Sequence, residues 1–169
     1  MATKKSMCVL FGILVISAWV LGSTVQAGAE TMKGRNIQTA TKRETIAVGD
    51  EEGHILGLTI MQGLAFIENG EIAKVKSQVA GDYIPQKGGQ LIGYTTYTFE
   101  DGATIVLRFQ RLMNPDGSAT AKSEIVKGTG RFEGIKGRSS ITGKNFPETK
   151  DGAARASTDF TMTYTLPTK

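Results

Sequence analysis

Ala154-Arg155-Ala156-Ser157-Thr158-Asp159-Phe160-Thr161-Met162-Thr163-Tyr164-Thr165-Leu166 decides the fold. Ala154, Ala156, Thr158, Phe160, Met162, Tyr164 and Leu166 share one parity, and the residues between them are Arg, Ser, Asp and Thr. Such sustained period-two alternation marks a strand with one buried face. The Thr-rich polar parity fits, because β-branched side chains suit a pleated surface.

The same pattern recurs upstream. Tyr94 to Phe99 and Thr104 to Gln110 flank Glu100-Asp101-Gly102-Ala103. A two-residue Asp101-Gly102 turn would set Phe99 opposite Thr104 and Thr98 opposite Ile105. That register turns Tyr94, Thr96, Thr98, Ile105, Leu107 and Phe109 towards the core. It turns Thr95, Tyr97, Phe99 and Arg108 towards solvent or another subunit. Glu44–Val48, Glu71–Val79, Ser118–Lys127 and Arg138–Phe146 are further strand candidates. His54–Glu68 is apolar on both parities, so it is expected to be covered on both sides. Asn69-Gly70 and Asn114-Pro115-Asp116-Gly117 supply turns. No stretch after residue 27 carries a 3.6-residue apolar stripe. The expectation is an all-β fold, an eight-stranded antiparallel barrel with no open edge, with a sandwich as the alternative.

The N-terminus has another character. Lys4 and Lys5 precede an apolar run from Cys8 to Leu21, followed by Val25-Gln26-Ala27. That order is the signature of a secretory signal peptide. Residues 1–27 are therefore expected to be removed, with Ala27 and Ala29 both offering the cut, and the protein to be secreted or periplasmic. A retained anchor would need about 20 apolar residues, and Gly22, Ser23, Thr24 and Gln26 dilute the run. The chain has 169 residues, 20 basic and 16 acidic, for a net +4. Loss of the leader removes two lysines and the only Cys and Trp, leaving 142 residues at net +2. Without cysteine there is no disulfide framework and no thiolate chemistry. One histidine, His54, excludes a His-rich metal centre. The small net charge points away from nucleic acid and anionic membranes, and no nucleotide-binding glycine pattern is present. No cofactor and no metal are expected. Residues 28–42 read as a flexible polar lead-in, and 43–169 as a single barrel domain.

Gly128-Thr129-Gly130-Arg131-Phe132-Glu133-Gly134-Ile135-Lys136-Gly137 is the most distinctive segment. Its glycines permit positive φ and close backbone approach, with Phe132 as a buried anchor. Gly128, Gly130, Phe132, Gly134 and Gly137 form a structural motif that resembles the Gly-x-Gly-x-Phe-x-Gly-x-x-Gly segment of allene oxide cyclase and dirigent-protein barrels. Gly93-Tyr94-x-x-Tyr97-x-Phe99-Glu100-Asp101-Gly102 is similar to the hairpin before it. Asn145-Phe146-Pro147 and Tyr164-Thr165-Leu166 are similar to the closing strands. The resemblance spans residues 54–166 and implies an eight-stranded, often trimeric barrel with an apolar cavity. In that family the cyclases steer ring closure of a fatty-acid epoxide, and dirigent proteins hold phenoxy radicals for coupling of one handedness. The cyclases also use a carboxylate and a cavity cysteine. The chain after residue 27 has no cysteine, and no carboxylate aligns by motif.

Within the strands, Glu68, Tyr94, Thr96, Leu107 and Phe109 are the candidate ligand-binding residues of the cavity or its mouth. Glu68 shares a parity with Leu64 and Phe66 and sits beside a turn. Tyr94 combines apolar area with a hydroxyl. His54 reads as an exposed loop-end residue, because spacing supplies it no partner, and Asp50-Glu51-Glu52 as a solvated turn. No acid, base or nucleophile constellation emerges. The expected function is therefore binding of a small apolar or phenolic molecule by an exported barrel without a cofactor. An isomerase, cyclase or dirigent-type protein acting on a reactive guest is the first alternative. A filled interaction module is the second. A continuous void of roughly a few hundred Å³ with convergent polar groups would separate the first two from the third.

Overall fold

A computed structural model describes residues 28–146 and 155–168. The expected leader, residues 1–27, lies outside them, as do Pro147 and Ala154. Eight strands follow in order: β1 (Glu30–Ala47), β2 (Ile55–Ile67), β3 (Ile72–Ile84), β4 (Gly88–Thr98), β5 (Thr104–Met113), β6 (Ser118–Thr129), β7 (Lys136–Phe146) and β8 (Arg155–Thr165). Each pairs antiparallel with its successor, and β1 pairs with β8 to close the barrel.

β1 begins at Glu30, so the stretch expected as a flexible lead-in is most of a strand. Its inward residues Met32, Asn36 and Gln38 are buried between β2 and β8. The lumen it faces at Asn36 and Gln38 is itself polar, which is why no apolar alternation announces it. A bulge between Ala40 and Lys42 shifts the register against β2. An extra residue reverses the faces downstream. It turns Arg43 and Thr45 towards the lumen, where unbroken parity would have put Lys42 and Glu44.

Three hairpins share one geometry. Ile67 and Glu71, Phe99 and Ala103, and Asn114 and Ser118 are joined by backbone hydrogen bonds of 2.8–2.9 Å across three-residue loops. Each loop ends in a glycine at positive φ: Gly70 (92°), Gly102 (79°) and Gly117 (77°). In each, the preceding Asn or Asp accepts the backbone N–H two residues on: Glu71 to Asn69, Ala103 to Asp101 and Ser118 to Asp116, at 2.9–3.0 Å. This is the three-residue alternative to the two-residue turn. It corrects the register expected at Asp101-Gly102, because Thr98 pairs with Thr104 and Tyr97 with Ile105. A one-residue shift flips every side chain of a strand. Tyr97, Thr95 and Phe99 therefore point inward on β4, and Tyr94 and Thr96 point outward.

The lumen has two halves. At the end carrying the β2–β3, β4–β5 and β6–β7 turns, Phe99, Ile105, Leu107, Phe132, Phe160, Met162 and Tyr164 pack into the core. The Phe99 and Phe132 rings lie 4.9 Å apart, and Tyr164 meets Phe132 edge-on at 6.4 Å. Arg131, in the glycine segment, stacks over both Phe99 and Phe132 and bridges Glu71 and Asp101. The segment thus acts as the plug of this end. Phe132 is buried, Gly130 and Gly134 take positive φ, and a Cβ on Gly128 would meet the Phe132 carbonyl oxygen at 2.1 Å.

No other described residue covers the outer face of β2. Leu56, Leu58, Leu64 and Phe66 are exposed there, although apolar residues on both parities predict cover on both sides. Ile46, Ile92 and Tyr94 extend this apolar surface across β1 and β4. A depression of about 990 Å³ crosses the waist of the same outer surface, lined by Leu58, Ile60, Ile92, Tyr94 and the charged Lys42, Glu44, Arg108 and Glu124.

Candidate functional site

Among the described residues, the other end of the lumen is left open. A cavity of about 490 Å³ runs in between the β1–β2, β3–β4 and β5–β6 loops. Its walls are made by small or flexible inward residues. Gly57, Thr59 and Met61 come from β2, Val79, Gly81 and Tyr83 from β3, and Leu91 from β4. Across from them stand Arg111 and Met113 of β5, Asn145 of β7, and Asp116 of the β5–β6 turn. Arg43 and Arg155 line it from β1 and the start of β8.

The two walls differ in chemistry. The β2–β4 wall is apolar apart from Thr59 and the Tyr83 hydroxyl. The β5–β8 side carries the charge. Arg111 donates from Nη2 to Asn145 Oδ1 at 3.1 Å, and Asn145 Nδ2 reaches Met113 Sδ at 3.4 Å. Burial pushes the Arg111 guanidinium below its usual range. Among the described residues no carboxylate forms an ion pair with Arg111.

A belt of polar side chains separates this cavity from the plugged half. Gln38 Nε2 donates to Ser77 Oγ at 3.0 Å, and Ser77 Oγ lies 2.9 Å from Thr95 Oγ1. Asn36 Nδ2 donates to Tyr97 Oη at 3.0 Å and to Thr158 Oγ1 at 3.3 Å. Burial raises the Tyr97 phenol to about 12, so it stays protonated. Buried polar groups are expensive unless paired, and the belt pairs most of its own. Asn36 Oδ1 and Ser123 Oγ have no partner.

The rim is clasped by His54. Its Nδ1 lies 2.6 Å from Asp50 Oδ1 and its Nε2 2.7 Å from Asp82 Oδ1, with the side chain only 13% exposed. Two carboxylate partners require both ring nitrogens to donate, which is the imidazolium form. The hydrogen bonds His54 donates to Asp82 and then to Asp50 push its pKa up, and the bond from His54 pulls Asp50 down. Lys87 pairs with Glu51 beside this clasp. Together these contacts fasten the β1–β2 loop to β3 and the β3–β4 turn.

The residues singled out from sequence fall apart in space. Glu68 is exposed on the β2–β3 turn, at the plugged end rather than the open mouth. Tyr94 and Thr96 face outward, Tyr94 at 49% exposure, because of the three-residue turn. Leu107 and Phe109 face inward, with Leu107 fully enclosed in the plugged half. His54 is held between two carboxylates rather than exposed at a loop end. Arg111, a half-buried cation of the cavity, was not among them. It shares the inward parity of Ile105, Leu107 and Phe109, so extending that strand one residue past Gln110 would have found it. No comparable signal marks Arg43, whose side is set by the bulge.

No protein-family model matches the sequence, and no curated protein matches it. Solved structures do match in shape. The pterocarpan synthase dirigent protein PsPTS1 superposes with a TM-score of 0.51 at 15% identity, covering 85% of this chain and 99% of that one. The pterocarpan synthase dirigent protein GePTS1 gives 0.50 at 13%, covering 84% and 94%. The likeness is one of fold: this chain has the all-β, closed eight-stranded antiparallel barrel of the dirigent-like proteins.

Proposed function

We propose that this is an exported barrel protein that receives a small apolar or phenolic molecule in the open half of its lumen, without a cofactor. The observation that carries the reading is the cavity of about 490 Å³, with Arg111 and Asn145 on one side and the largely apolar β2–β4 wall on the other. Binding pockets for small molecules have roughly this volume and this sparse polar lining. A filled interaction module would pack both ends of the barrel, and only one end is packed. Export rests on the basic, apolar and small-residue order of residues 4–27.

A second reading makes the guest reactive and the barrel its guide, through ring closure or coupling. The fold shared with two pterocarpan synthase dirigent proteins favours it. Neither reading involves nucleic acid or a stable membrane anchor. Both leave the apolar outer face of β1, β2 and β4 to be covered by a second copy of the chain, in a trimer if the resemblance extends to assembly. Native mass spectrometry of the purified protein tests assembly and cargo together. Molecules bound to the wild type and absent from Val79→Trp, which fills the cavity, are the expected result. Equal cargo in both proteins, or a thermal shift with apolar and phenolic compounds that survives Val79→Trp, would remove the cavity from consideration.

A further inference from the structure

Arg111 poses a problem that the other described residues do not answer. A guanidinium has five N–H donors in a planar fork, and Arg111 spends one of its nitrogens on Asn145 Oδ1. Desolvating a charge is costly unless it is paired, yet no described carboxylate pairs with this one. Asp116, the acid on the same cavity wall, is engaged elsewhere: its Oδ1 accepts the Ser118 backbone N–H at 2.9 Å, inside its own turn. Arg155 lines the cavity from the start of β8 and brings a second guanidinium to it. Arg111 also sits one inward position deeper than Met113, about 7 Å down the strand at ~3.3 Å per residue. It lies below the rim, where solvent screening is weaker than at the surface. The facing wall of Met61, Val79 and Leu91 offers only apolar contact.

We infer that the guest of this cavity carries a carboxylate, which docks on the Arg111 fork while its apolar body lies against the β2–β4 wall. Planar carboxylates match the guanidinium bidentately, and such charge-assisted bonds are among the strongest available. The carboxylate would supply the counter-charge that the described residues do not. This inference rests on the proposed binding role of the cavity and narrows it from apolar or phenolic molecules to apolar carboxylic acids.

Matched pairs of probes test it. Binding of trans-cinnamate against cinnamyl alcohol, and of decanoate against decanol, is measured by calorimetry on the full exported chain. The expected result is at least about tenfold tighter binding of each acid than of its alcohol, the lower end of what a charge-assisted bond provides. Arg111→Gln should bring the ratio to about one while leaving the alcohols bound. Arg111→Lys, which keeps the charge and loses the fork, should retain an intermediate preference and guards against a folding defect in the first variant. Acids and alcohols that bind equally to the wild type, both lost in Val79→Trp, would overturn the carboxylate inference and leave the cavity reading standing. Failure of all four to bind, or binding that persists in Val79→Trp, would overturn both.

Discussion

The two halves of the barrel are built from the same eight strands and differ in what those strands point inward. The plugged half is filled by Phe99, Phe132, Phe160, Tyr97, Met162 and Tyr164, and closed by the Arg131 stack. The open half is lined on one side by Gly57, Gly81, Thr59 and Val79, whose side chains are too small to meet across the lumen. An eight-stranded barrel is just wide enough either to fill with side chains or to hold one small ligand. This molecule fills one end and leaves a cavity at the other. Packing and open space are thereby separated along the barrel axis. Packing holds one end, and strand pairing with the rim clasp holds the other.

That separation can be broken most severely by truncation in the plugged half. Leu107→Ala should cost about 3 kcal/mol, since the enclosed residue leaves a cavity behind. Leu91→Ala, which only enlarges a void already present, should cost about 1 kcal/mol or less. Urea denaturation of both variants measures the difference, and equal costs would mean the open half is as tightly packed as the other. Enlargement should show the opposite tolerance. Ala73→Phe, in the plugged half, should lose about 2 kcal/mol by overpacking, while Val79→Phe should lose under about 1 kcal/mol and abolish ligand binding.

The boundary between the halves gives a smaller effect. Ser77→Ala takes a partner from both Gln38 and Thr95, and should cost about 1–2 kcal/mol in the same denaturation assay. The least effect lies at the rim, and it depends on pH. The His54 pKa is raised in the folded protein, so its contribution is complete below the unfolded value of about 6.5 and lost as pH rises through the folded value. Asp50 is lowered, so its contribution is present above its unfolded value of about 3.9 and lost as pH falls through the folded one. Wild type should therefore exceed His54→Gln in Tm most in the mildly acidic range between these two, with the gap closing in alkali. A gap that widens with rising pH would show that the imidazolium is not the clasp.

Strand existence was legible almost throughout, because period two follows from side chains alternating across a half-buried sheet. The inward row Ala156, Thr158, Phe160, Met162 and Tyr164 could be read directly, and all are buried. β1 was largely missed because polar Asn36 and Gln38 face a polar belt, so it lacks the apolar signal. The candidate site was much less legible. Asp101-Gly102 admits loops of two or three residues, and the choice between them decides whether Tyr94 or Tyr97 enters the barrel. Nothing local separates the two, because both loops place Gly102 at positive φ. Spacing linked His54 to no partner: Asp50 reaches it through the fold of the β1–β2 loop, and Asp82 only through the β2–β3 pairing.

Sequence alone determined the class: successive strands of period two, tight turns marked by Asn-Gly and Asp-Gly, and a glycine segment anchored on Phe132. These depend on local backbone preference and side-chain period, which neighbouring residues carry. Tertiary structure decided which face entered the lumen and which end stayed open. Face selection turned on one extra residue in a turn or a bulge, which inverts a strand without changing its composition. The open end arose because the inward positions of different strands, distant in sequence, came together at one height with small side chains. The same convergence set Arg111 beside Asn145 in the cavity, and no run of residues along the chain encodes that meeting.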